Sequence, residues 1–229
     1  MADIIGTALN DILNGTSLGD TIQGLEGDDR ITGRKGNDVI FGGAGNDRIS
    51  GWGGDDTIHG GSGNDAIFGN QGNDSLRGDD GNDKIKGGDG HDELYGKDGN
   101  DKLWGGTGDD LLAGGKGNDN LRGEDGNDTI YGGDGWDNLT GGAGADVFVF
   151  FDNDGWRDRV RDFEDGTDVI YLAVSTASGF ADLTFSDAAL YDGGTGLVVN
   201  YGNGSFVLDG YSTADVTSGM ISADDFIFA

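Results

Sequence analysis

Gly43-Ala-Gly-Asn-Asp-Arg-Ile-Ser-Gly51 and Gly61-Ser-Gly-Asn-Asp-Ala-Ile-Phe-Gly69 are two copies of one nine-residue pattern. Working outward from them, residues 7–150 divide into 16 consecutive units with no insertion. The fifth place is Asp in every unit, and the seventh is apolar in every unit, from Leu13, Ile22 and Ile31 to Leu139 and Phe148. The third place is Gly except at Leu9 and Leu18; the ninth is Gly except at Phe150. A disordered chain has no reason to hold such a register, whereas stacked structural repeats require it.

The composition around this period is equally one-sided. Of 229 residues, 49 are Gly, none is Pro or Cys, and 34% are hydrophobic. Acids outnumber bases 43 to 14, for a formal charge of −29. Glu supplies only Glu26, Glu93, Glu124 and Glu164; every other acid is Asp, a bias toward turns or metal ligation. Without cysteine there is neither a disulfide scaffold nor a thiolate zinc site. The charge makes nucleic acid a poor partner. No apolar run approaches 18 residues, so no transmembrane segment is expected. Met1-Ala-Asp-Ile-Ile-Gly-Thr7 lacks the basic and apolar regions of a signal peptide.

Read from the ninth place, the unit is G-G-x-G-x-D-x-U-x, with U a large aliphatic. It resembles the calcium-binding nonapeptide of the repeats-in-toxin (RTX) family. The resemblance implies an all-β fold: a right-handed parallel β-roll of 16 nonapeptides in about eight coils, followed by a C-terminal antiparallel β cap. It implies that six residues form a calcium-binding turn and three a short strand, with each ion between turns two units apart. The implied ligands are the carboxylates of Asp20, Asp29, Asp38, Asp47, Asp56, Asp65, Asp74, Asp83, Asp92, Asp101, Asp110, Asp119, Asp128, Asp137 and Asp146. The implied turn glycines are ninth-place Gly33, Gly42, Gly51, Gly60, Gly69, Gly78, Gly87, Gly96, Gly105, Gly114 and Gly123, with third-place Gly36, Gly45, Gly54, Gly63, Gly72, Gly81, Gly90, Gly99, Gly108, Gly117 and Gly126. Two columns of eight turns leave seven gaps each, a ceiling of fourteen ions. The chain departs from the pattern at the second glycine, where Leu25, Arg34, Trp52, Asn70, Asp79, Lys97 and Glu124 stand, and weaker turns are expected there. The first two units fit worst, so the N-terminal calcium sites are expected to be the poorest.

The residue types suit that chemistry. Glycine permits positive φ and close backbone approach. Asn or Asp at the fourth place tolerates similar angles. Backbone carbonyls and a short carboxylate offer the hard oxygen ligands Ca2+ prefers, while Mg2+, with its strict octahedron, should substitute poorly. The U residue alone is expected to point inward. Fourteen ions would bring the charge of −29 close to neutral; without them the carboxylates repel and the roll expands.

Alternate units fall on opposite sheets. One face carries Arg30, Arg48, Lys84, Lys86, Lys102 and Arg122 with Phe68 and Trp104. This is either an acidic-polysaccharide contact surface or a set of solubilising charges. The other face presents Thr21, Val39, Phe41, His59, Tyr95, Tyr131 and Val147, and is expected to pack on another element or a partner.

After Phe150 the nine-residue period gives way to ordinary alternation, with strands expected at Asp168–Ala173, Leu183–Ser186, Gly196–Tyr201, Ser205–Leu208 and Asp225–Phe228. Residues 1–150 therefore read as the roll and 151–229 as cap and secretion-signal region. Gly144-Ala-Asp-Val-Phe-Val-Phe150, Asp158-Arg-Val-Arg-Asp-Phe163 and Asp168-Val-Ile-Tyr-Leu172 resemble the cap of serralysin-type proteases and mannuronan epimerase repeat modules. Asp224-Asp-Phe-Ile-Phe228 resembles the ending of type I secretion substrates, which implies export from a Gram-negative bacterium. No H-E-x-x-H is present, and Gly15-Thr-Ser-Leu-Gly19 and Arg77-Gly78-Asp79 read as products of the repeat spacing. The expected function is a non-enzymatic, secreted calcium-binding module with a binding or structural role. The alternatives are an anionic-polysaccharide-binding module or adhesin, and the non-catalytic part of an extracellular epimerase or protease.

Overall fold

A computed structural model describes residues 1–151, 157–173, 179–190, 195–201 and 204–228. The chain winds as a parallel β-solenoid of about nine turns. One sheet of 11 strands begins at Asp3–Ile5, and a second of 12 strands begins at Ile12–Asn14. Each repeat adds one strand to alternate sheets, and every pairing within the repeats is parallel and offset by 18 residues. Ile49 thus lies beside Ile31 and Ile67.

The strands are longer than the expected three residues. Arg48–Gly53 and its equivalents run six, from the sixth place of one unit into the second place of the next. The inward set is also larger than expected. Ile49 and Gly51 are both buried in Arg48–Gly53, so the ninth-place glycine shares the interior with the U residue. The core of the roll is accordingly a single file of Ile and Leu per sheet, each 0–1% exposed from Ile22 to Leu139. Burying each contributes about 1.5–3 kcal/mol.

Positive φ falls at the first and third places. The third-place glycines adopt φ from 104° at Gly36 to 148° at Gly126. Leu25, Arg34, Trp52, Asn70, Asp79, Lys97 and Glu124 keep the left-handed conformation of the glycine they replace, at φ 73–85°. Fourth-place Asn and Asp residues do not have positive φ, contrary to expectation. Their side chains instead build a ladder along the turn: Asn64 Oδ1 accepts from the N–H of Asn82 at 2.8 Å, and Asn82 Oδ1 from that of Asn100 at 2.8 Å. His91 takes the same part, its Nδ1 accepting from the N–H of Asp109 at 2.8 Å.

The roll continues beyond residue 150. Val147–Phe151, Val169–Ala173 and Phe226–Phe228 extend the first sheet in parallel, and Arg157–Val160 and Gly204–Asp209 extend the second. Among the described residues Thr195–Tyr201 is antiparallel to both Thr184–Ala189 and Gly204–Asp209, so the expected antiparallel cap is a strand group appended to further parallel coils. The alternation in these segments fits either arrangement; the inward faces decide, because they prolong the Ile/Leu files. A helix at Thr213–Ser218 was not expected. It is announced by Ser212-x-x-Asp215, whose two ends cap each other as a box. Among the described residues no helix is long and apolar enough to cross a membrane.

Candidate metal centres in the turns

Each repeat carboxylate is turned into the molecule. Asp20 to Asp146 at the fifth place are 0–3% exposed. Their Oδ1 atoms form two ladders along the roll: Asp47 N–H donates to Asp65 Oδ1, Asp65 to Asp83 and Asp83 to Asp101, at 2.7–2.8 Å. The second ladder runs through Asp38, Asp56, Asp74 and Asp92 at 2.7–2.8 Å.

The other oxygen differs. Oδ2 of Asp29, Asp38, Asp47, Asp56, Asp65, Asp74, Asp83, Asp92, Asp101, Asp110, Asp119, Asp128 and Asp146 is buried and accepts no hydrogen bond. Each lies over the ninth-place glycine five residues upstream, where a side chain would collide with it. Gly33 faces Asp38, Gly42 faces Asp47, and so on to Gly123 facing Asp128. The same spot is bordered by the carbonyl oxygen of the ninth-place glycine one coil on, Gly60 at Gly42 and Gly87 at Gly69. From the coil below, carbonyls of the first and third places point up beneath Gly43, Gly61, Gly45 and Gly63. The turns therefore stack oxygen on oxygen, and glycine provides the room.

Burial and like charge drive several of these carboxyls up. Burial, reinforced by stacked neighbours, raises Asp56, Asp65, Asp101 and Asp110 from 3.8 to about 7. The same causes bring Asp119 to about 7, and Asp74 and Asp146 to about 6. A buried carboxylate without a countercharge is costly, and a cation between coils would remove that cost. Among the described residues no three His, Cys, Asp or Glu side chains cluster as a metal site. The oxygens brought together are instead Oδ2 of the carboxylate and the ninth-place carbonyl one coil on, both hard donors, which fits Ca2+.

Asp20 stands apart from the other expected ligands. Its Oδ2 accepts from the N–H and hydroxyl of Thr16 at 2.6 and 2.8 Å, its Oδ1 from the N–H of Ala2, and the Thr16 bond leads in holding its carboxyl below the usual value. Conversely, the ladders enrol two residues that the nine-residue period misses. Asp137 N–H donates to Asp158 Oδ1 and Asp146 N–H to Asp168 Oδ1, both at 3.0 Å. The signal was present: Asp158-Arg-Val160 and Asp168-Val-Ile170 repeat the Asp-x-apolar core, shifted by insertions.

The basic residues of the second sheet fall in register. Arg30 lies beside Arg48, and Lys84 beside Lys102. Lys86 sits between Phe68 and Trp104, and Trp104 beside Arg122. Arg48 covers the ring of Phe68 at 4.5 Å, and Lys86 that of Trp104 at 5.0 Å. The G-x-S-x-G match at Gly15–Gly19 lies in the closed turn of Asp20 and has no strand–turn–helix setting.

The model for the RTX calcium-binding nonapeptide repeat (four copies) matches residues 5–40, 14–49, 32–67, 59–94, 68–103, 87–121 and 114–148. No curated protein matches the chain. The crystal structure of the extracellular lipase LipA from Serratia marcescens is similar at 23% identity and TM-score 0.34, over 81% of this chain and 40% of that one. This chain thus spans less than half of the lipase. The solution structure of the AlgE6R3 subunit from the Azotobacter vinelandii mannuronan C5-epimerase is similar at 29% identity and TM-score 0.26, over 69% of this chain and 78% of that one.

Proposed function

This chain belongs to the RTX calcium-binding nonapeptide repeat family, and on that premise we propose a secreted β-roll that folds around Ca2+ outside the cell and serves as an extracellular binding or structural module. The repeats bind calcium ions. The file of buried, unpartnered Oδ2 atoms carries the reading. Asp29 to Asp146 would hold the ions through Oδ2, with ninth-, first- and third-place carbonyls completing the shell. The ion supplies positive charge between carboxylates that otherwise repel along each column. In this reading residues 1–150 are the calcium-dependent roll, and 151–229 close it and carry the export signal. The module itself does no catalysis.

At low cytosolic calcium the chain stays loose enough to be threaded out, and millimolar-range calcium outside folds it. Calcium titration of exhaustively chelated protein, followed by circular dichroism, tests this. The expected result is a cooperative gain of β signal; a native spectrum that survives chelation rejects the reading. Removal of residues 224–229 together with the preceding cap should trap the protein inside a host equipped with type I secretion.

A second reading concerns the basic sheet. Arg30, Arg48, Trp52 and Phe68 line one groove of 240 Å³ on the second sheet, which favours an acidic-polysaccharide ligand over a purely solubilising face. Retardation in acidic-polysaccharide gels should then require calcium, weaken with salt and fall when Lys84, Lys86 and Lys102 become Glu. Unchanged retention of that triple variant supports the solubilising face.

A further inference from the structure

The first two turns are built differently from the rest. They read Gly6-Thr-Ala-Leu-Asn-Asp11 and Gly15-Thr-Ser-Leu-Gly-Asp20, with Thr at the first place and Leu at the third. Thr7 and Thr16 lack the positive φ that the later first-place residues adopt. Each instead aims its N–H at the carboxylate four residues on. Asp11 Oδ2 accepts from Thr7 N–H at 2.6 Å and from its hydroxyl at 2.9 Å. Asp20 Oδ2 receives the same pair from Thr16, at 2.6 and 2.8 Å. The threonine hydroxyls also accept from the third-place amides, Leu9 at 3.3 Å and Leu18 at 3.2 Å, which tightens the turn on itself.

The oxygen satisfied here is the one left bare in the interior turns. The far end of one column repeats the device without a threonine: Asp168 Oδ2 accepts from the N–H of Glu164, again four residues upstream, at 2.8 Å. Among the described residues this bond occurs at Asp11, Asp20 and Asp168 and at none of the repeat carboxylates between them.

We propose that the turns of Asp11 and Asp20 are closed by Thr7 and Thr16 and hold no calcium, so that the metal array begins at the turns of Asp29 and Asp38. The proposal rests on the calcium reading above and deepens it. A terminal coil has a neighbour on one side only, and a turn that satisfies its own carboxylate needs no ion to keep its shape. It would give the first calcium-dependent coil an ordered surface on which to stack. Two columns of seven interior turns leave six gaps each, which lowers the ceiling from fourteen ions to twelve.

Equilibrium dialysis of the full chain against radioactive calcium, at saturation, counts the ions directly. Asp20→Asn should bind as many ions as the unsubstituted protein, whereas Asp74→Asn should lose at least one. Thr16→Gly combined with Leu18→Gly rebuilds the interior turn and should gain one. If Asp20→Asn loses as many ions as Asp74→Asn, the inference is overturned. A folded Thr16→Gly/Leu18→Gly chain that gains none overturns it too. Should that double variant fail to fold, the Asp20→Asn count decides alone. If the unsubstituted chain binds no calcium, the underlying reading has failed instead, and the two failures are distinguishable.

Discussion

The interior of the roll and its C-terminal end solve the burial problem in opposite ways. From Asp29 onward the strands of the roll bury an Ile or Leu beside the ninth-place glycine, and the turns of Asp29 to Asp128 and of Asp146 bury a carboxylate oxygen that accepts no hydrogen bond. At the C-terminal end, Phe148, Phe150, Phe163, Tyr201, Phe206 and Phe226 pack together, with Phe150 stacked on Phe206 at 4.3 Å. One partly buried acid there is answered by a base: Asp209 receives a two-pronged bond from Arg159 at 2.7 and 3.1 Å. Tyr211 closes onto the carbonyl of Phe163 at 3.0 Å. The end is held by aromatic burial and paired charge; the roll has a thin Ile/Leu file and, in the calcium reading proposed above, leaves charge pairing to an ion. A thin core can therefore be long, provided that each coil brings its own ligand.

Removing calcium should break this comparison most visibly. The roll is expected to lose its β signal while burial in the C-terminal cluster resists longer. Near-ultraviolet dichroism of the aromatic residues against far-ultraviolet dichroism during chelation checks it, and simultaneous loss of both would erase the distinction.

Acidity should act next, and in opposite senses on the two metal states. In the folded metal-free chain Asp56, Asp65, Asp101, Asp110 and Asp119 have carboxyls raised from 3.8 to about 7. A raised carboxyl gives stability that is full below its unfolded value and lost as pH climbs through its folded value. The metal-free chain should thus gain structure as pH falls from about 8 to about 5. Protons compete with calcium for the same oxygens, so the calcium midpoint should move to higher concentration over that interval. Dichroism-monitored titrations at the two pH values measure both; a midpoint independent of pH would show that these oxygens are not ligands.

A smaller effect sharpens the C-terminal side. Phe206→Ala removes the ring stacked on Phe150 and should cost about 3–5 kcal/mol in the calcium-loaded protein, read from denaturant melts. The calcium count should stay unchanged. The smallest effect lies in the turns. Trp52 holds φ 85° in a place where seven of the sixteen turns use glycine, and a left-handed residue costs about 1–2 kcal/mol. Trp52→Gly should stabilise the loaded roll by about 1 kcal/mol or less, since the new glycine also gains freedom in the unfolded chain. A lower melting temperature would mean that the indole contributes packing that outweighs its strain.

Much of this architecture is legible in the sequence. The unbroken nine-residue period marked the repeats and the apolar file from Ile22 to Leu139, and the RTX resemblance implied the parallel roll and the alternation of sheets. The period also set Arg30 beside Arg48 and Lys84 beside Lys102, because an uninterrupted repeat permits one stacking register. The Asp bias pointed to turns or metal ligation, and the RTX resemblance named calcium.

Tertiary structure decided what depends on neighbours 18 or more residues away. Only stacking shows that the ninth-place glycine clears space for Oδ2, that fourth-place Asn serves a ladder rather than a special φ, and that Thr16 takes the oxygen of Asp20. The coils after Phe150 were hidden for the same reason. Asp158 and Asp168 join the ladders at spacings of 21 and 22 residues rather than 18, so no period announces them. What places them is the aromatic cluster that joins Phe150 to Phe206 and the pair that joins Arg159 to Asp209, contacts fixed by burial and charge across distances a local pattern does not reach.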